Sequence, residues 1–282
     1  MMKGTFSTGD DRFSISANKI TGYFSMPEKH FHDKYEIYYL VSGERHYFIK
    51  DRVFLIKKGH LVFVNEGEMH KTTDAGAPDH QRILLYFTKD FLRMPESPLN
   101  GIMDLLVKRQ YCVLGLSLKE QQYTEKLIND MYEEIKKQSL GFEICLLGTL
   151  MRLLVFMARC LRHHDENAYV STSPKHEKIS EIVRYINTHY MEPLSIPKLS
   201  DLFYISPYYL SRVFKETTGF TLVEYINNVR IKEAQKLIVH PGLKVIEAAE
   251  KTGFGSLAHF NRVFRNIAGC SPLKYRKIMT EK

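Results

Sequence analysis

The sequence predicts an α+β chain of two domains, a β-barrel with a helical hairpin followed by an all-α domain. Short β-rich runs separated by Gly, Asn and Asp fill residues 13–91, as is typical of a β-sandwich or barrel. Later, residues 206–219 recur at 256–269 with a single displacement of 50 residues, which is an internal repeat. A polar stretch without apolar periodicity separates the two regions. The predicted domains are 1–162 and 175–282, with a linker at 163–174.

The positive charge of the chain is concentrated in the part that carries the repeat. Residues 170–282 contain 17 Lys and Arg against 10 Asp and Glu, and so contribute +7 to a net charge of +8. A basic excess confined to one domain indicates a polyanionic partner, although a solvated basic surface would look the same.

The rest of the composition indicates a cytoplasmic protein. The N-terminal residues carry two acidic side chains and lack the apolar core of a secretory signal. The four cysteines form no C-x-x-C pair, which favours buried free thiols in a reducing compartment. The most apolar run, residues 144–161, is interrupted by Arg152 and Arg159, and this favours a buried helix over a membrane span.

Four side chains with metal-binding chemistry stand in two short motifs of the first domain. His30, His32 and Glu36 are separated by even numbers of residues, so an extended backbone places them on one face. The second motif ends at His70. Both segments resemble the paired motifs of cupin barrels, and the resemblance implies that these four residues take the metal-ligand positions. The chain departs from the cupin pattern at Asn65, where Pro is usual.

Two roles are open for this cluster. Three imidazoles and a carboxylate suit a divalent first-row metal such as Zn, Ni, Fe or Mn, with His30, His32, Glu36 and His70 as its ligands. Alternatively, the same groups hydrogen-bond an organic ligand. Alternation from Glu36 sends Tyr38 inward and Tyr39 outward, and a tyrosine-lined interior suits a polyhydroxylated or anionic molecule such as a sugar. The candidate ligand-binding residues are His30, His32, Glu36, Tyr38, Tyr47 and His70.

A helical hairpin is predicted between the barrel and the linker. Its first helix, over residues 119–138, carries apolar side chains at i+4 spacing from Tyr123 to Ile135, and its second, over 142–161, is apolar almost all round. The stripe of the first helix has two uses. It packs on the barrel within one chain, or it pairs with a second chain and makes a homodimer.

The repeat has the pattern of two helix-turn-helix units. In the first unit, Ser206 and Pro207 begin a helix that ends at Gly219, after a shorter helix and a turn. The second helix of such a unit lies in the major groove of DNA, where its exposed side chains reach bases and phosphates. A long helix predicted over 222–239 joins the units, so that the two reading helices enter successive major grooves. The predicted DNA contacts are Tyr208, Ser211, Arg212 and Lys215 in the first unit, and Leu257, Ala258, Asn261, Arg262 and Arg265 in the second.

Residues 179–276 resemble the DNA-binding domain of the AraC/XylS family of bacterial transcription regulators. The resemblance is carried by LSRVFKETTG, by YINNVRIKEAQKLI and above all by GFGSLAHFNRVFRNIAGCSPLKYRK. It implies an N-terminal ligand-sensing domain, here cupin-like. It also implies that the predicted contact residues face the bases, namely Tyr208, Ser211, Arg212, Leu257, Ala258, Asn261 and Arg262. Lys215 and Arg265 are expected at phosphates. The chain departs from the family at Ser200, where Ala is usual, and at Ala248, where a larger aliphatic residue is usual.

Together the two halves predict a ligand-responsive, DNA-binding transcription regulator, either an activator or a repressor, that is not an enzyme, since no catalytic constellation is apparent. The expected partners are double-stranded DNA, a small-molecule effector, a second copy of the chain and, for an activator, RNA polymerase. Two alternatives remain. One is a metal-dependent cupin enzyme with an accessory DNA-binding domain, and the other is an architectural protein that needs no ligand.

Overall fold

The computed structural model describes residues 2–22, 33–76, 79–92, 99–109, 111–161, 169–170, 173–240 and 242–280. The chain divides into two compact units, Met1–Thr172 and Ser173–Lys282. This division lies inside the predicted linker, near its C-terminal end. Val170, which also falls in that stretch, belongs to the first unit and forms a β-bridge with Phe54.

The described part of the first unit contains two antiparallel sheets, which we call the barrel. Its strands are β1 (Gly4–Ser7), β2 (Phe13–Ile20), β3 (Tyr35–Ser42), β4 (Glu44–Ile49), β5 (Arg52–Lys57), β6 (His60–Val64), β7 (His70–Asp74), β8 (His80–Phe87) and β9 (Tyr111–Gly115). The large sheet has the order β1-β2-β8-β3-β6-β9 and the small sheet the order β5-β4-β7. Antiparallel pairing lets each strand alternate between an interior and an outer face.

That alternation gives the large sheet two apolar faces. Along β3, Tyr35, Ile37 and Tyr39 belong to the cluster on the outer face, while Tyr38 and Leu40 belong to the cluster between the sheets. The predicted parity of Tyr38 and Tyr39 is confirmed. Tyr39 is nevertheless buried, because helices cover the outer face and its hydroxyl donates to Oε1 of Glu125 at 2.6 Å.

The helices α1 (Leu99–Arg109), α2 (Leu118–Lys137) and α3 (Phe142–Cys160) follow the barrel strands. Helix α2 begins at a capping box, in which the Ser117 hydroxyl accepts from the backbone of Glu120 and the Glu120 side chain accepts from the backbone of Ser117. Leu127, Met131 and Ile135 of α2 are buried in the same cluster as the outer face of the large sheet. Of the two uses predicted for this stripe, the fold shows packing within one chain.

The described part of the second unit is all-α. Its helices are α4 (Pro174–His189), α5 (Ile196–Phe203), α6 (Pro207–Thr218), α7 (Leu222–Ile238), α8 (Val245–Lys251), α9 (Leu257–Ala268) and α10 (Pro272–Thr280). Ser195, Ser206 and Ser256 begin α5, α6 and α9 by accepting a hydrogen bond from a backbone N–H three residues later. Gly219 and Gly269 end α6 and α9 in the left-handed conformation. The predicted pair of helix-turn-helix units is confirmed.

One side chain of α5 differs from the pattern. The spacing of Leu199 and Leu202 predicts that both are buried, but Leu202 is 45% exposed. The buried residues of α5 are Leu199 and Ser200, and at roughly 100° per residue Leu202 lies about 110° from the centre of that face. A helix of eight residues can bury only a narrow stripe.

Two sequence-based expectations, on membrane spans and on thiol burial, can be compared with the described helices and cysteines. Each of these helices is too short or too polar to cross a bilayer. The four cysteines are free thiols, and Cys112 and Cys160 are buried as predicted. The prediction of burial is wrong for Cys145, which is exposed on the outer side of α3.

Candidate nucleic-acid interface and barrel interior

Helix α6 presents the residues predicted to contact DNA in the first unit. Leu210, Val213 and Phe214 are buried, which turns the other side of the helix to solvent. On that side Tyr208 is 78% exposed. The predicted contact residues Tyr208, Arg212 and Lys215 are exposed and Ser211 is half-buried.

The guanidinium of Arg212 is held at the surface by neighbours on its own helix. Its Nη1 atom lies 3.5 Å from Oε1 of Glu216, and its Cζ atom lies 5.9 Å from the centroid of the Tyr209 ring. Glu216 also accepts from Nζ of Lys175 at 2.9 Å, and this hydrogen bond lowers the pKa of Glu216. Exposed pairs of this kind are weak in water, so Arg212 can exchange Glu216 for a group on DNA.

Helix α9 repeats this geometry with a different charge. Phe260 and Phe264 are buried. The predicted contact residues Leu257, Ala258, Arg262 and Arg265 are exposed and Asn261 is half-buried. At the position equivalent to Glu216 stands the neutral Asn266, and in the described part of the chain neither arginine of α9 pairs with a carboxylate. The second reading helix therefore carries more unopposed positive charge than the first.

The turns that lead into the two reading helices differ by one residue. Tyr204 and Gly253 are each the ninth residue after the N-cap of the preceding short helix, and both are left-handed, with φ of 54° and 83°. Glycine adopts this conformation without steric cost, whereas tyrosine is strained there. The second turn then contains Gly255, which has no counterpart in the first.

A hydrogen-bond network surrounds Glu36 inside the barrel. The Tyr47 hydroxyl donates to Oε1 of Glu36 at 2.7 Å, and Nε2 of His70 lies 3.2 Å from Oε2. Tyr86 also hydrogen-bonds Glu36. The other ring nitrogen of His70, Nδ1, lies 2.8 Å from the backbone oxygen of Glu68. Because both ring nitrogens face oxygen acceptors, the imidazolium form of His70 satisfies both.

The Glu36 carboxylate controls the charge of this network. Burial alone would lower the pKa of His70, but the adjacent Glu36 carboxylate and Glu68 together raise that pKa. The pKa of Tyr47 is raised by burial and by Glu36, which keeps its hydroxyl protonated and able to donate. A buried carboxylate with several donors is fully satisfied.

Two arginines lie in the same interior. Arg45 of β4 is fully buried, and burial lowers its pKa. Arg82 of β8 donates from Nη1 to Oγ1 of Thr72 at 3.5 Å, and its Cζ atom lies 5.9 Å from the Tyr38 ring centroid. The sequence reasoning missed Arg82 and Thr72 as interior groups. The signal was present, because each shares the parity of an interior neighbour, Tyr86 on β8 and His70 on β7.

The structure brings Glu36, Tyr38, Tyr47 and His70 into one interior, and the alternation along β3 predicts this for Glu36 and Tyr38. His30 and His32 lie outside the described residues. Within the described ranges no three His, Cys, Asp or Glu side chains are grouped as metal ligands, and the described members of the predicted set, Glu36 and His70, are bonded to each other. The metal site remains a prediction, and it requires His30 and His32 as ligands.

Family models match both halves of the chain. The model of the AraC-like ligand binding domain matches residues 15–152, and a helix-turn-helix domain model matches residues 199–278. The chain belongs to the AraC family of transcription regulators. As in that family, a ligand-binding N-terminal domain precedes the helix-turn-helix domain.

Two relatives that match over most of their own length are named as transcription regulators. The HTH-type transcriptional regulator YbfI of Bacillus subtilis is 24% identical over 89% of this chain and 87% of its own length. The HTH-type transcriptional activator RhaS of Escherichia fergusonii is 24% identical over 90% of this chain and 88% of its own length. Among solved structures, an apo variant of ToxT from Vibrio cholerae covers 98% of both chains at 15% identity with a TM-score of 0.41. The relatives named as regulators favour a regulator over the enzyme alternative.

Proposed function

We propose that this AraC-family regulator reads DNA with α6 and α9 in successive major grooves, about 34 Å apart on one face of the duplex. The observation that carries the proposal is the exposure of Arg212 and Arg262 at equivalent places on two helices whose opposite faces are buried. Both helices belong to one compact unit. Arginine can form two hydrogen bonds to guanine, which gives each helix a means of reading sequence.

The two reading helices are chemically unequal, so the proposed DNA site is asymmetric. Helix α6 offers Tyr208, Arg212 and Lys215 together with the acidic Glu216. Helix α9 offers two arginines and Asn261, an amide that suits adenine. We expect two dissimilar boxes, with the box under α9 contributing more of the salt-dependent affinity.

A substitution experiment tests the assignment. Duplexes selected by the full-length chain from a random library provide the probe, and fluorescence anisotropy gives the affinity of Arg212→Ala, Arg262→Ala and the control Lys236→Ala. Lys236 is exposed on α7, outside both reading helices. Each reader substitution should cost about 1–3 kcal/mol and relax base preference at one box only. The assignment is wrong if both reader variants bind and select DNA as the control does.

The barrel interior is the proposed effector site, and its arginines and tyrosines suit a sugar or a small carboxylate. A thermal-shift panel of sugars and small carboxylates on the full chain would find a ligand, since a ligand at 100 times its Kd adds about 2.7 kcal/mol of stability. Tyr47→Phe should weaken the response. Tyr132→Phe is the matched control, because its hydroxyl bonds the Lys3 backbone on the outer face. Absence of any thermal shift would favour the architectural alternative. A stoichiometric metal in the purified wild type that is lost in His32→Ala would instead favour the metal-dependent enzyme.

Dimerisation is proposed through the outer side of α3, since the stripe of α2 is buried within the chain. Ile144, Gly148, Met151 and Val155 follow one another at spacings of four, three and four along that side, the spacing of a coiled-coil seam. Ile144 is 77% exposed. Together with Tyr123, Met151, Arg152, Phe156 and Arg159, Val155 lines a groove of about 400 Å³.

Sedimentation equilibrium tests this dimer. Ile144→Asp should shift the chain toward monomer, because a carboxylate would be desolvated in the seam. Val223→Asp, at a 58% exposed aliphatic residue of the second unit, is the control and should leave the mass unchanged. A dimer that Ile144→Asp leaves intact would move the interface elsewhere.

A further inference from the structure

Arg230 lies at the middle of α7 and bonds to the turn between α4 and α5. Its Nε atom donates to the backbone oxygen of Tyr190 at 2.8 Å, and its Nη2 atom donates to the backbone oxygen of Glu192 at 2.8 Å. Glu192 is itself paired with Lys198 of α5 at 3.0 Å. One guanidinium thus fixes two carbonyls of the α4–α5 turn, which leads into the first helix-turn-helix unit, and charged donors form the stronger hydrogen bonds.

The same guanidinium also contacts the second helix-turn-helix unit. Its Cζ atom lies 5.7 Å from the ring centroid of Phe254, the residue that follows the turn glycine Gly253. A Cβ atom at Gly253 would lie 2.6 Å from the backbone oxygen of Met191, so the α4–α5 turn and the α8–α9 turn are packed backbone to backbone at this point. Arg230 therefore lies at the one described place where the connector and both turns are shown in contact.

Geometry explains why such a junction matters for DNA. Helix α7 has 17 residues and is about 25 Å long, so it holds the units apart. It contacts α4 and α6 on the side of the first helix-turn-helix unit and α8, α9 and α10 on the side of the second. A contact off the α7 axis is still needed to oppose rotation of one unit relative to the other. A rotation of about 34° corresponds to one base pair of B-DNA, so a small loss of angular control changes which spacing the protein reads.

We propose that Arg230 is a positioning residue for DNA recognition, which sets the spacing and rotation between the two reading helices without touching DNA. The inference rests on the proposed function of α6 and α9. It predicts that Arg230 affects how the two boxes are combined and leaves the reading of either box alone unchanged.

The experiment compares Arg230→Met, Arg230→Lys and the control Lys236→Met in the full-length chain. Each binds three kinds of duplex: the selected two-box site, the same site with one box scrambled, and two-box sites with one or two base pairs added or removed between the boxes. Methionine keeps the apolar stem but donates no hydrogen bond. Lysine keeps the charge and can donate to one or both carbonyls without the fixed fork of arginine.

Arg230→Met should bind the two-box site about tenfold more weakly, because linked modules lose avidity when their geometry loosens. Its one-box affinity should match the wild type, its preference for one spacing should flatten, and Arg230→Lys should recover part of both losses. Equal two-box affinity and an unchanged spacing profile in Arg230→Met would overturn the inference while leaving the reading helices intact. Failure of the wild type to select any DNA would instead overturn the proposed function.

A folding defect is separated by a second variant. Phe254→Leu keeps an apolar side chain at this buried position but removes the aromatic ring that the guanidinium contacts. Like Arg230→Met, it should flatten the spacing profile while preserving one-box affinity. Loss of one-box affinity in both Arg230→Met and Phe254→Leu would assign the junction a purely structural role and refute the positioning role.

Discussion

Ser200 is the departure from its family whose energetic consequence is clearest. Its side chain is 2% exposed, and among the described residues its Oγ atom has no hydrogen-bond partner. Ala249 holds the equivalent place in the second helix-turn-helix unit, five residues after the N-cap of α8, and is 1% exposed. The same helix position is thus apolar in one copy and carries a buried hydroxyl in the other.

The substitution Ser200→Ala should raise the free energy of unfolding of the compact unit Ser173–Lys282. Removing an unsatisfied buried hydroxyl recovers a desolvation cost of about 1–3 kcal/mol, and alanine adds up to about 0.5 kcal/mol of helix propensity. The vacated volume is that of one oxygen atom, so lost contacts offset about 0.5 kcal/mol. The net expectation is about 1–2 kcal/mol, and each 1 kcal/mol raises Tm by roughly 4–8 °C in a domain of this size.

Calorimetry of the full-length chain measures this change, because it resolves the transition of each unit where the two unfold separately. Ser180→Ala is the matched control: Ser180 lies within α4 and is only partly buried, so it reports helix propensity alone. DNA affinity should not change, since Ser200 faces the core. A Tm at or below that of Ser180→Ala would refute the desolvation argument.

Three further predictions concern backbone strain and buried tyrosine. Gly253→Ala should lower the free energy of unfolding by about 3 kcal/mol or more, because alanine is strained in the left-handed conformation and its Cβ would contact Met191. Urea unfolding measures the loss, and Gly255→Ala, with open space at its Cβ, is the control. Equal losses in the two variants would contradict the packing argument. Tyr204→Gly should raise the free energy of unfolding by up to about 1 kcal/mol, because it relieves the left-handed strain of a tyrosine whose side chain is 95% exposed. The gain is limited because glycine makes the unfolded chain more flexible. Tyr204→Ala keeps the strain, and a gain as large as that of Tyr204→Gly would refute this explanation. Burial raises the pKa of Tyr38 to about 12 from 10.0, so the stability that its protonated hydroxyl contributes is complete below pH 10 and is lost as pH rises toward 12. In urea unfolding across that pH range, Tyr38→Phe should therefore lose less stability than the wild type. Parallel curves of stability against pH would contradict this prediction.

The elements that the sequence predicted best are those with local signals. Ser206 and Ser256 before the reading helices, and Gly219 and Gly269 after them, act through hydrogen bonds and backbone angles within one turn of chain. Such signals need no knowledge of the rest of the fold. The parity of Tyr38 and Tyr39 was predictable for the same reason, because alternation is a property of a single strand.

The elements that were missed depend on distant partners. The short strands β1 and β9 have weak patterns of their own and exist because they pair with β2 and β6. His70 was singled out as a ligand of a motif, but its strand β7 and its bond to Glu36 follow from pairing with β4. Arg230 gave no signal at all, because its acceptors are two backbone carbonyls 38 and 40 residues away.

By itself the sequence determined the two-domain organisation, the repeat of two helix-turn-helix units and the identity of the side chains that their reading helices expose. These follow from periodicity and capping, which act over a few residues. Only the tertiary structure decided that the stripe of α2 is buried within the chain, that Glu36 is hydrogen-bonded to His70 and Tyr47, and that Arg230 contacts both the α4–α5 turn and the α8–α9 turn. Each of these is a contact between segments far apart in the chain, and such contacts are selected by the simultaneous packing of many side chains rather than by any local pattern.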